Sequence, residues 1–189
     1  MEKTCFVVAA IGEPDSPERY RADQVLKYII EPAARGCNFS ALRADRSPEP
    51  GMIMSEVIQH LVEDPIVVAD LTGRNPNVYF EFGIRHAFQK PIVQIIDHQE
   101  RIPFDLAPVR TIHVDHRDLT RADEARMQIA EQIRAALGSG VAHSPVNTAG
   151  AVLALRQGTG VEVRLAQLLE MVQSISSRNY DRGPFIYPV

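Results

Sequence analysis

The chain reads as an α/β domain: a doubly wound parallel sheet of five strands with helices on both faces, followed by an additional C-terminal helix. Three observations predict it. Short apolar runs rich in β-branched residues alternate with longer segments of helical period. The two most continuous runs, Thr4–Ala10 and Ile66–Leu71, carry no polar phase, so they belong side by side at the sheet centre, buried on both faces. The stretch Ile66–Asp97 then supplies strand, loop, helix and strand with very short connections, a right-handed βαβ crossover.

Taken in order, Thr4–Ala10 is the first strand, and Ile11–Gly12 turns the chain over the sheet edge. Ser16 caps a helix with Pro17 in its first position and Glu18 in its first turn; Tyr20, Val25, Leu26, Ile29 and Ile30 form its core stripe. The first turns of this helix bring Arg19 and Arg21 near the end of the first strand, where an arginine is placed to hold a phosphate, or else belongs to a solvated helix start. Asn38–Ala44 is the second strand, ending at Arg43, which joins the substrate-binding candidates. Ser47–Gly51 is a loop by composition, and Met52–Val62 a helix. After the third strand, Asn75 caps a helix that begins at Pro76 and runs to Gln89, where Lys90–Pro91 stops it. Ile92–Asp97 and Thr111–Val114 are the fourth and fifth strands, and Arg121–Leu137 an amphipathic helix. His113, Asp115 and His116 invite a metal reading, but no third protein ligand stands at a persuasive spacing, so none is assigned.

In parallel sheets the chemistry gathers at the carboxyl ends of the strands, which directs attention to Asp70, the loop after it and the start of the next helix. On that helix Glu81 shares a stripe with Ile84 and Phe88, so partial desolvation should raise its pKa. The alternative is a structural ion pair with Arg85, four residues on.

The run VVADLTGRNPNVYFEFGIRHAF resembles, without a gap, the core of the nucleoside 2-deoxyribosyltransferase superfamily, which includes the deoxynucleoside 5′-monophosphate N-glycosidases. The resemblance is good from Ile66 to Pro91, fair from Thr4 to Leu137 and absent beyond. It implies the flavodoxin-like strand order 2-1-3-4-5, a site between the first and third strands where Gly12 and Asp70 meet, and Glu81 of Glu81–Phe82–Gly83 as the carboxylate that attacks the anomeric carbon. Asp70 would hold the base or a sugar hydroxyl. Asn75 and Asn77 stand where the monophosphate glycosidases have a serine and a glycine that bind the 5′-phosphate; their backbone N–H groups would still receive one. The substrate-orienting aspartate of those enzymes falls on Val57, which leaves Glu56 to substitute after a small shift. Fold and glutamate position also resemble TIR-type domains that cleave NAD.

The bounds agree with a small-molecule enzyme. A net charge of −4 argues against general nucleic-acid binding. Cys5 and Cys37 lack CxxC or zinc spacing and suit reduced thiols. With no signal peptide or long apolar span, a soluble cytoplasmic protein is expected. No G-x-G-x-x-G, G-x-x-x-x-G-K or G-x-S-x-G occurs, so no cofactor is assigned, although NAD remains open as a substrate. The α/β domain is taken as 1–140 and the remainder, 141–189, as linker, helix and tail; the apolar stripe of Val161, Leu165, Leu168, Leu169 and Val172 makes that helix a homo-oligomer contact. Three functions are thereby open: cleavage or transfer at the C–N glycosidic bond of a nucleoside or nucleotide, cleavage of NAD by the same glutamate, and non-catalytic nucleotide sensing.

Overall fold

The computed structural model describes residues 3–46 and 53–139. The expected loop at Ser47–Gly51 and the C-terminal helix, with the self-association assigned to it, lie outside the described residues. Five parallel strands, β1 (Lys3–Ala9), β2 (Phe39–Arg43), β3 (Ile66–Asp70), β4 (Ile92–Asp97) and β5 (Thr111–Val114), form one sheet in the order β2-β1-β3-β4-β5. β1 and β3 are adjacent at its centre, with Ala9 opposite Asp70 and Asp70 opposite Ile95. All of β3 is buried, as its apolar run Ile66–Ala69 requires, and Asp70 at its end is buried with it.

The alternation of side chains sorts the core into two layers. Cys5, Val7, Ile66, Val68, Val93, Ile95, Ile112 and Val114 pack under α1 (Pro17–Val25), α2 (Glu31–Arg35) and α5 (Leu119–Ser139). Phe6, Val8, Val67, Ala69 and Leu71 pack under α3 (Ile53–Glu63) and α4 (Pro76–Ala87). Among the described residues no helix is long and apolar enough to cross a membrane.

The first helix is not uniform. Pro32 has no N–H for the Tyr28 carbonyl, and its ring would strike that group in an ordinary turn. Leu26–Ile30 accordingly widens into a π-helical turn joining α1 to α2, with Glu31 N–H reaching Leu26 O. The freed Tyr28 carbonyl accepts from Arg126 Nε on α5 at 2.6 Å.

Gly12 follows β1 with φ +73°, and a Cβ there would lie 2.7 Å from Ser16 Oγ and 2.9 Å from Arg19 N. Ser16 is the α1 cap, accepting from Arg19 N at 3.1 Å, so the tight approach belongs to the strand-to-helix turn itself. Gly12→Ala is expected to cost about 1–3 kcal/mol from backbone strain, with the contact adding to it. Gly83→Ala, with open space around its Cβ, should instead be neutral or stabilising by up to about 1 kcal/mol. Urea midpoints of the two variants check the contrast; equal shifts would contradict it.

Candidate functional site

Two clusters of charge occupy the carboxyl ends of the strands, both on the α1 side of the sheet. Asp70 continues the face of Ile66 and Val68, so it points toward α1 and not toward α4. It is 2% exposed and already filled: Arg21 donates to it at 2.7 Å, Thr72 Oγ1 at 2.5 Å and Thr72 N at 3.2 Å. Arg21 also donates to Asp97 at 3.2 Å and to Thr72 Oγ1 at 2.8 Å. Burial pulls the Arg21 guanidinium down, and Asp70 and Asp97 more than offset it, so the group is held above its ordinary pKa. Asp70, expected to hold a base or sugar hydroxyl, and Arg21, expected to hold a phosphate, hold each other in this structure and tie β3, β4 and α1 together. Asp70→Asn should destabilise by about 2–3 kcal/mol, less than the loss of a fully isolated buried pair because Asp97 still faces Arg21. A denaturation midpoint unchanged at constant slope would contradict this.

The second cluster surrounds Arg43. Its side chain is 1% exposed, donating to Asp45 at 2.6 and 3.0 Å and to Asp23 on α1. Arg19 donates to the same Asp45 at 2.9 Å and to Asp23 at 3.4 Å. Arg43 and Arg19, expected on substrate, hold a shared pair of carboxylates in this structure.

The start of α4 is likewise occupied. Asn75 Oδ1 accepts from Asn77 N at 2.9 Å and from Val78 N at 3.4 Å. Pro76 carries no N–H, and of the backbone donors expected to receive a phosphate, Asn77 N is taken up by the cap itself.

Glu81 lies on the other side of the sheet and differs from all of these acids. It is half-buried, and burial alone raises its pKa above the ordinary glutamate range. Among the described residues it has neither a hydrogen bond nor an ion pair. The ion pair with Arg85 does not form: Arg85 is 0% exposed and turns inward, giving Nε and Nη2 to Pro91 O at 3.1 and 2.8 Å and Nη1 to Leu61 O at 2.7 Å. Leu61 belongs to the last turn of α3, where carbonyls lack helical partners, so Arg85 closes that end. Phe80 and Phe88, expected on the stripe beside Glu81, are 58% and 53% exposed.

On α3, Val57 is a core residue, 4% exposed, in contact with the layer of Phe6 and Leu61. Glu56 beside it stands 3.9 Å from His60 Nε2. His60 stacks on Phe6 with ring centroids 4.8 Å apart and meets Asp64 at 2.8 Å.

His86, one turn past Phe82, is buried with its ring 4.2 Å from the Phe82 ring and Nδ1 unbonded. Burial, then the Arg85 charge, pulls its pKa below the ordinary value of 6.5. The unfolded chain therefore binds the extra proton first, so this contribution to stability is present above pH 6.5 and lost as pH falls through the lower folded value. His116 shifts the same way. Thermal midpoints should fall as pH drops from 6.5 through the lower folded value, and His86→Gln should flatten part of that slope; a slope equal in both proteins would contradict this.

No protein-family model matches this chain, and no curated protein matches it. Among solved structures it is similar to a 2-desoxiribosyltransferase from Leishmania mexicana, at 17% identity over 64% of this chain and 81% of that one, with a TM-score of 0.40. It is also similar to the constitutive lysine decarboxylase of E. coli, at 12% identity over 84% of this chain and 20% of that one, with a TM-score of 0.44. Likenesses this distant assign no activity.

Proposed function

We propose that the chain cleaves or transfers at the C–N glycosidic bond of a nucleoside or nucleotide, with Glu81 as the reacting carboxylate. The observation that carries the reading is that Glu81 is half-buried and has no partner among the described residues, whereas Asp70, Asp97, Asp23 and Asp45 are all spent on arginines. When the bond breaks, its electron pair leaves with the base and positive charge grows on the sugar. A carboxylate already stripped of water gains more from meeting that charge than a solvated one does. The ungapped resemblance around Glu81–Phe82–Gly83 supports the same assignment. Asp70 and Arg21 enter as the frame of the strand ends and not as groups on the substrate.

Chromatography of free base released from nucleosides, deoxynucleoside monophosphates and NAD tests it. Base from a nucleoside or deoxynucleotide is the expected result. Base from NAD alone would replace that substrate class, and none from any of them would leave nucleotide sensing.

A further inference from the structure

A cavity of about 750 Å³ opens at the amino ends of the strands, against Lys3 at the start of β1, Phe39 at the start of β2 and Pro65 just before β3. Arg35 at the end of α2 and Leu137 in the last turn of α5 line it from the helices. None of its lining residues lies on α4, and the charge clusters of Asp70 and Arg43 stand at the opposite ends of their strands. Its size falls inside the roughly 300–1,000 Å³ of small-molecule pockets.

The charge it presents has one sign. Its lining holds Lys3 and Arg35 and no carboxylate. Both residues are exposed, and neither side chain makes a hydrogen bond or an ion pair among the described residues. The acids nearest them in sequence are turned elsewhere. Glu31, one turn before Arg35, accepts from Arg46 at 3.1 Å, and Asp64, beside Pro65, meets His60 at 2.8 Å. Carbonyls at the end of α2 are spent as well. Pro32 O, Ala34 O and Arg35 O accept from Gly36 N, Cys37 N and Asn38 N at 3.0, 2.9 and 3.0 Å, and Gly36 O accepts from Arg134 at 3.1 Å. The Cys37 thiol, also in the lining, donates to Ala130 O at 3.3 Å. What the lining leaves over is two cations and the Asn38 amide, beside the apolar surfaces of Pro65 and Leu137.

We propose that this cavity is a ligand site separate from Glu81, taking a small molecule with an anionic head on an apolar body, its carboxylate or phosphate held by Lys3 and Arg35. A guanidinium grips either anion through two parallel N–H donors, and the lysine adds a point charge. Taking the body out of water against Pro65 and Leu137 adds to that attraction. The site stands or falls independently of the glycosidic reading.

Backbone-amide NMR signals of the full chain, followed at neutral pH and constant ionic strength, test it with benzoate and phenyl phosphate as anionic probes and benzamide as the neutral match. The Asn38, Phe39 and Leu137 signals should shift saturably with at least one anion below about 20 mM, while that of His113, on the far edge strand, stays still; millimolar affinity is what a few such contacts provide. Which anion acts distinguishes carboxylate from phosphate. Benzamide, close to benzoate in shape but uncharged, should bind at least about tenfold more weakly, the worth of one hydrogen bond to a charged group. Arg35→Gln, at an exposed position, should keep the thermal midpoint and weaken the anion by a similar factor. No saturable shift with either anion overturns the proposal, and so does equal binding of benzamide or equal binding by Arg35→Gln.

Discussion

Arg85→Gln is expected to destabilise the protein by about 3–5 kcal/mol, a large share of the 5–15 kcal/mol that holds a typical domain together. Arg85 is wholly buried, and its three nitrogens clamp Pro91 O and Leu61 O, joining the end of α3 to the start of β4. Burial pushes the guanidinium pKa down to about 10, with Asp64 and Cys5 pulling the other way, so it still carries its charge at neutral pH. Glutamine is too short to span both carbonyls and leaves at least one buried acceptor unmet, together with a void. The denaturant midpoint at unchanged slope measures it. A loss below about 0.5 kcal/mol, the scale of an exposed helix ion pair, would mean that the clamp does not hold the fold.

Glu81→Gln should behave in the opposite way. Turnover is expected to fall at least about a hundredfold, because the amide keeps the shape but cannot meet the developing charge. Stability should hold or rise. A carboxyl whose folded pKa is raised is favourable to folding only below its unfolded value, and that advantage disappears as pH rises through the folded value. Wherever Glu81 is ionised it therefore works against the fold, having no partner among the described residues, and glutamine relieves it. The same shift sets the acid side of the rate profile above the range of an ordinary glutamate, since the working form is ionised. A variant that loses activity and midpoint together would be a folding defect.

The architecture was open to reading because the runs Thr4–Ala10 and Ile66–Leu71 are almost wholly apolar and the connections are short. Strand order β2-β1-β3-β4-β5 came from the resemblance and is observed. The site was read less well, for a reason visible in β3. A strand buried on both faces has no polar phase, so nothing in Ile66–Asp70 says which parity lies under α1 and which under α4. Asp70 was thus grouped with Glu81, although the two lie on opposite faces of the sheet. The alternative of an ion pair with Arg85 rests on its standing four residues after an acid, and backbone carbonyl acceptors such as Leu61 O and Pro91 O leave no mark in a sequence. The cap at Asn75 was legible, but its consequence, that Asn77 N is already bonded, was not drawn. Glu81 stands out in the sequence by its stripe and by the resemblance around Glu81–Phe82–Gly83, and burial raises its pKa as expected there.

The decisive measurement is free base released by wild type and by Glu81→Gln from the same nucleoside or nucleotide, run side by side with their thermal midpoints. The assignment predicts a base peak from wild type, a rate at least about a hundredfold smaller from the variant, and a midpoint in the variant no lower than wild type. Equal release by the two proteins would remove Glu81 from the chemistry.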